Sequence, residues 1–187
     1  MIAFDSPRLI ADIGGLYARF AIETSYGEFA QQRSLRCADF PSFEAAMSAY
    51  LNSLKSATVA HAAVAMANPV DGDQVRMTNY HWQFSIEETR VNLGLETLVV
   101  VNDFTSLAMA LPRLSPTDFR QVGTGQAVKN SVIGLIGSGS GLGVSGLIPS
   151  GEGWTSLGSE GGHASFAPAD ARESAVLQYA WRQFGHV

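Results

Sequence analysis

The chain has 187 residues, enough for one ordinary domain or for one small domain and part of another. Apolar residues make up 46% and charged residues 16%, with a net charge of -5 and no Lys/Arg cluster, so a core can form and a nucleic-acid groove is disfavoured. The single cysteine, Cys37, excludes an internal disulfide and a cysteine-based zinc site and fits a reducing cytoplasm, and no run approaches the ~18 apolar residues of a membrane span.

In chain order, residues 8–11 form an apolar run that ends at Asp12. Gly14-Gly15 turns the chain, 18–23 returns, Ser25-Tyr26-Gly27 turns it again, and 28–36 reads as a third strand. Residues 43–54 have helical spacing with Ser42 as N-cap. A buried strand over 58–66 leads into a polar loop with Pro69, Gly72 and Asp73. Ser85 followed by Glu88 has the capping-box form and opens a helix to about Asn92. Residues 98–101 form another buried strand, Asn102-Asp103 ends it, and a helix through Leu111 begins at once. Five strands and interleaved helices predict an α/β fold whose mixed sheet has antiparallel strands on one side and crossover-linked parallel strands on the other.

A second start follows. The run 132–136 meets Gly137-Ser138-Gly139-Ser140-Gly141, and 142–148 resumes a strand. The strand, glycine turn, strand pattern of residues 8–23 is thus repeated. After a loop with Trp154 and the segment 158–163, a helix is expected over about 170–184. The organisation expected is a first domain over 1–120 and the start of a second, similar domain over 121–187.

Four segments could carry chemistry. In Asp12-Ile13-Gly14-Gly15, glycines would let backbone amides approach a phosphate, and the aspartate could orient magnesium through water; an ordinary hairpin turn has the same composition. Four glycines fall within 137–143, flanking Ser138 and Ser140, without the lysine of a P-loop; the choice is between a phosphate-hugging turn and a plain hairpin. Asp103 stands where a buried strand meets a helix, the place for a proton-accepting carboxylate but equally for a helix cap. Glu160 and His163 flank two glycines and suit vicinal hydroxyls, or form a polar surface turn.

Taken together these segments resemble the bacterial glucokinase family of the actin/hexokinase-like superfamily. The resemblance is carried by the strand pair 8–23, by Met77-Thr78-Asn79-Tyr80-His81-Trp82-Gln83-Phe84-Ser85-Ile86, by Val101-Asn102-Asp103-Phe104-Thr105, by Gly137-Ser138-Gly139-Ser140-Gly141-Leu142-Gly143-Val144, by 157–163 and Phe166-Ala167-Pro168, and by the terminal Gly185-His186-Val187. It implies an actin-like (ribonuclease H-like) fold and ATP-dependent phosphorylation of the glucose 6-hydroxyl in the cytoplasm. Asp103 would be the base, and Asn102, Glu160 and His163 would hold the sugar. Asp12, Gly14, Gly15, Gly137, Gly139, Ser140 and Gly141 would flank the ATP phosphates, with magnesium near Asp12. The expected partners are glucose and ATP, with no nucleic acid and no membrane, and a homodimer is compatible with the family.

Two departures stand out. The family's first phosphate loop continues Gly-Gly-Thr-Asn-Ala-Arg, whereas here it reads Gly14-Gly15-Leu16-Tyr17-Ala18-Arg19. Family members also continue well past Val187, so the chain corresponds to their N-terminal portion. The alternative reading is a sugar-binding or regulatory pseudokinase with a degenerate ATP site. The related ROK group carries a cysteine-rich zinc motif, which a lone Cys37 does not supply.

Overall fold

The computed structural model describes residues 6–54, 59–78, 80–139 and 141–185. Thr58, Asn79, Ser140, His186 and Val187, on which sequence expectations fall, lie outside them. The chain divides into two compact units, one ending at Ser106 and the other beginning at Leu107.

The first unit contains β1 (Arg8–Ile13), β2 (Tyr17–Ser25), β3 (Glu28–Arg36), α1 (Phe43–Asn52), β4 (His61–Met66), β5 (Gln74–Arg76), β6 (Gln83–Ser85), α2 (Ile86–Asn92), β7 (Thr97–Asn102) and the start of α3 (Asp103–Ala110). Its main sheet has the order β3-β2-β1-β4-β7. The hairpins β1–β2 and β2–β3 are antiparallel, while β1–β4 and β4–β7 are parallel. The expected mixed five-stranded α/β sheet is therefore present. Two short strands, β5 and β6, were not expected; they form a small hairpin that carries the 77–82 segment between them.

Period-two alternation sends Leu9, Ala11 and Ile13 of β1, Ala18, Phe20 and Ile22 of β2, and Ala62, Val64 and Met66 of β4 to one buried face. Phe43, Ala46, Met47 and Tyr50 of α1 are buried in the same core. The Ser42 cap is made as expected: its Oγ accepts the Ala45 N–H at 3.1 Å. Tyr50 stacks on Phe20 with ring centroids 5.0 Å apart, and its hydroxyl donates to the Gln31 carbonyl at 3.0 Å. Trp82 is fully buried and donates to the Phe40 carbonyl at 3.2 Å, fastening the β5–β6 hairpin to the core. The opposite sheet face holds a groove of about 710 Å³ whose lining includes Ile10, Ala21, Ala65 and Val101, with Asp12 and Arg19 also along it.

α2 is capped twice. Ser85 Oγ accepts the Glu88 N–H at 3.0 Å, and Asp73 Oδ1 accepts the Glu87 N–H at 2.8 Å. The Ser85 hydroxyl and then the Glu87 N–H hold the Asp73 carboxyl below its ordinary value.

In the second unit, β8 (Ile133–Ser138), β9 (Leu142–Ser150) and β10 (Gly153–Leu157) form an antiparallel sheet of order β10-β9-β8. The Trp154 loop of the sequence reading is the strand β10. Ser145 is buried and donates to the Leu157 carbonyl at 2.8 Å, tying β9 to the end of β10. α4 (Ala171–Phe184) starts at the Asp170 cap, which accepts the Glu173 N–H at 2.8 Å, and stops at Gly185 in the left-handed conformation.

Candidate active site

The first glycine turn links β1 to β2. The Gly14 N–H donates to the Tyr17 carbonyl at 3.0 Å, which leaves Gly15 and Leu16 at the tip. Neither Gly14 nor Gly15 has a positive φ, so the turn itself does not demand glycine there. What the glycines provide is open backbone. Leu16 is 78% exposed and Tyr17 43%, so neither side chain is recruited to the core. The turn is held from below by Cys37, whose N–H donates to the Leu16 carbonyl at 3.0 Å and whose thiol lies 3.5 Å from the Gly14 carbonyl. Burial pushes the Cys37 thiol up, so it stays neutral and serves as a small apolar wedge.

Asp12 and Arg19 are cross-strand partners in the β1–β2 register, and Arg19 Nη1 meets Asp12 Oδ2 at 2.8 Å. Both side chains are more than half exposed, so the pair contributes little to stability. Its geometric effect is that Oδ2 faces Arg19 while Oδ1 has no part in the pair.

Asp103 is the first residue of α3, directly after β7. The sequence left open whether it is merely a cap. The cap is Asn102: its Oδ1 accepts the Thr105 N–H at 3.1 Å. Asp103 Oδ1 accepts the Phe104 N–H at 2.9 Å and the Asn102 Nδ2 at 3.1 Å. Among the described residues no hydrogen bond reaches Asp103 Oδ2. The second Asn102 amide contact is to the Asn68 carbonyl at 3.3 Å. The orientation of the Asn102 amide is thereby specified, because a flipped amide would set its oxygen against Asn68 and its N–H against the Thr105 donor. Asn68 itself is buried, and no sequence motif drew attention to it.

In the second unit the glycine hairpin joins β8 to β9, with Gly137 opposite Gly143 and Ser138 opposite Leu142. The Gly139 N–H donates to the Gly141 carbonyl at 2.8 Å. A methyl group added at Gly139 or Gly141 would meet nothing, so here too the absence of side chains is not required by packing.

Glu160 precedes a short 3₁₀ turn, Gly161–His163. The His163 N–H donates to the Glu160 carbonyl at 2.9 Å, and the two side chains approach to 3.9 Å. Both side chains are exposed and free to turn toward a ligand. Gly162 has a stricter role than the sequence indicated: a Cβ there would overlap the Leu142 carbonyl oxygen. The loop of Glu160 and His163 is thus laid directly on β9, at the foot of the glycine hairpin.

Solved structures share this architecture. The chain superposes on a glucokinase from an Antarctic psychrotroph with a TM-score of 0.81 and 34% identity, covering 98% of this chain and 59% of the other. A ROK-family glucokinase from Streptomyces griseus, solved with glucose and AMPPNP, shares the fold at a TM-score of 0.62 and 21% identity over 88% of this chain and 52% of its own. The fold is therefore the one these solved glucokinases have. The chain belongs to the glucokinase family, whose family model matches residues 9–187. A Chromobacterium violaceum glucokinase is 51% identical over 97% of this chain and 52% of its own length. The Burkholderia thailandensis "Bifunctional protein glk" is 60% identical over 98% of this chain and 28% of its own. The chain spans about half of the first of these relatives and under a third of the second.

Proposed function

We propose that the complete polypeptide carrying this sequence transfers the γ-phosphoryl group of ATP to the 6-hydroxyl of glucose. The single observation that carries the reading is the state of Asp103: the neighbouring Asn102 takes over the helix cap, and Asp103 Oδ2 is left without a partner among the described residues. A carboxylate oriented on one oxygen and open on the other suits a base. The hydroxyl proton passes to Oδ2, O6 bonds to the γ-phosphorus, and the bond from that phosphorus to the bridging oxygen of ADP breaks. Membership of the glucokinase family supports the same chemistry.

Asn102, Glu160 and His163 are the proposed sugar contacts. The Gly14-Gly15 turn and the hairpin carrying Gly137, Gly139, Ser140 and Gly141 are the proposed phosphate cradle: the Gly14 and Gly139 N–H groups hold their own turns, and a methyl group on Gly139 or Gly141 would meet nothing, so the hairpin backbone there is open to anionic oxygens. On this reading residues 1–120 supply the base and the first loop, and 121–187 supply the second loop and the sugar-binding loop. Magnesium fits as a companion of the phosphates. Asp12 retains Oδ1 beyond its Arg19 pair, and among the described residues no group of three His, Cys, Asp or Glu forms a protein-only cage. When bound, the ion would neutralise phosphate charge. A cytoplasmic location is supported by the lone, buried Cys37, and no described helix is long and apolar enough to cross a membrane. A homodimer is the proposed assembly on family grounds alone, to be checked by sedimentation.

A second reading, a sugar-binding protein with a degenerate nucleotide site, is favoured by Leu16: an exposed aliphatic side chain at the tip of a phosphate turn donates no hydrogen bond. Calorimetric titration of the complete polypeptide with glucose, then with ATP and magnesium, separates the two. Binding of both with formation of glucose 6-phosphate supports the kinase. Glucose binding alone supports the degenerate form.

A further inference from the structure

Asn68 lies outside every motif of the sequence, in the loop that follows β4. Its side chain is 5% exposed and every polar atom has work. Oδ1 accepts the Thr78 N–H at 2.8 Å, and Nδ2 donates to the Pro69 carbonyl at 2.7 Å. Its backbone carbonyl accepts Asn102 Nδ2 at 3.3 Å. The parallel register explains the meeting: Met66 at the end of β4 lies opposite Asn102 at the end of β7, so the chain leaving β4 passes beside the Asn102 amide.

One buried residue therefore joins three pieces. It pins the 77–78 segment that emerges from the β5 strand, sets the path of the Pro69 loop, and fixes one of the two Asn102 amide hydrogens. The other amide hydrogen is then directed at Asp103 Oδ1. Removing the Asn68 side chain would take away the acceptor that ties the exposed Thr78 N–H to the buried end of β4, and with it the constraint that holds the 77–78 segment and the Pro69 loop in place.

We propose that Asn68 is a positioning residue for sugar phosphorylation, acting through Asn102 on the Asp103 carboxylate and through Thr78 on the adjoining loop. The proposal rests on the reading of Asp103 as the base. Asn68 touches neither substrate; it sets the geometry in which Asn102 and Asp103 meet the sugar.

The test uses the complete polypeptide with Asn68→Ala and Asn68→Asp. Asn68→Ala is expected to lower kcat/KM for glucose by about 10- to 100-fold, the scale of a sub-ångström to 1 Å displacement, while KM for ATP stays at the parent value. Asn68→Asp separates positioning from mere folding. Its neutral carboxyl can accept from Thr78 and donate to Pro69, whereas its ionised form cannot donate. The ratio of variant to parent kcat/KM should therefore rise as pH falls. A folded Asn68→Ala with parental kcat/KM, or an Asn68→Asp ratio flat with pH, would overturn the proposal; if Asn68→Ala does not fold, the Asn68→Asp profile decides alone. If the parent makes no glucose 6-phosphate, the proposed function has failed instead. Asn68 is then judged by the Asn102 side-chain amide resonance and Thr78 amide exchange in Asn68→Asp across pH: pH-dependent changes support the positioning role, and signals identical to the parent overturn it.

Discussion

Gly162 lies against Leu142 so closely that a methyl group on its Cα would overlap the Leu142 carbonyl oxygen. Leu142 opens β9 immediately after the glycine hairpin, and Gly162 sits between the side chains of Glu160 and His163. The candidate phosphate hairpin and the candidate sugar loop are therefore in backbone contact. Gly162→Ala forces one of them to move, because the obstacle is main chain and not a flexible side chain. It should cost about 1–3 kcal/mol of stability, the usual scale of overpacking, and weaken glucose binding. Gly141→Ala is the control: its Cβ would meet nothing, so stability should change by less than about 0.5 kcal/mol while turnover with ATP falls if the amides face phosphate. Thermal melts with glucose titrations on both variants check the contrast.

Leu16→Thr with Tyr17→Asn restores to the first turn the hydroxyl and amide of the family pattern. Leu16 is largely solvent-facing and Tyr17 lies outside the buried core, so the double change should alter the melting temperature little. If phosphate contacts are the factor these residues limit, ATP turnover by the complete polypeptide should rise, up to about 10²-fold. A steady-state assay at varied ATP decides, and unchanged kcat/KM for ATP would show that the turn side chains do not face the nucleotide.

Acid sensitivity should begin at the second helix. Asp73 has a folded-state pKa held below its ordinary value, first by the Ser85 hydroxyl and then by the Glu87 N–H. A depressed carboxyl pKa stabilises the fold above the unfolded value and loses that contribution as pH falls through the folded value. The start of α2 should therefore loosen as pH drops below about 4, the range of an unfolded aspartate. Asp73→Asn, which cannot ionise, should flatten the stability curve in that window and leave its shape near neutrality unchanged. Chemical denaturation across pH 2–7, a range of about five units, measures this directly.

How much of this was legible beforehand follows from signal length. The meander 8–36, the Ser42 cap and the strand-to-helix junction at Asp103 rest on runs of alternation and side-chain caps, which are local and visible. β5 and β6 have three residues each, too few to show alternation, and β10 gave no strand signal because its five residues include a glycine and a serine and none is fully buried. Asn68 was invisible because its partners, Thr78 and Asn102, are 10 and 34 residues away in sequence. The capping reading of Asp103 was settled by its neighbour: asparagine and aspartate are both good caps, and only coordinates assign the role to Asn102. The demand for glycine at 162 is likewise a tertiary contact with a carbonyl twenty residues earlier, which no local pattern encodes.

Asp103→Asn tests the central claim most directly. The side chain keeps its size and its Oδ1 contacts with Asn102 and Phe104 but can no longer take a proton. In the complete polypeptide, the parent should form glucose 6-phosphate from glucose and ATP. The variant should melt near the parent temperature, bind glucose with similar affinity, and turn over at least about 10²-fold more slowly, the lower end of the contribution of a general base. Parental turnover in Asp103→Asn would contradict the assignment of the base and with it the proposed mechanism.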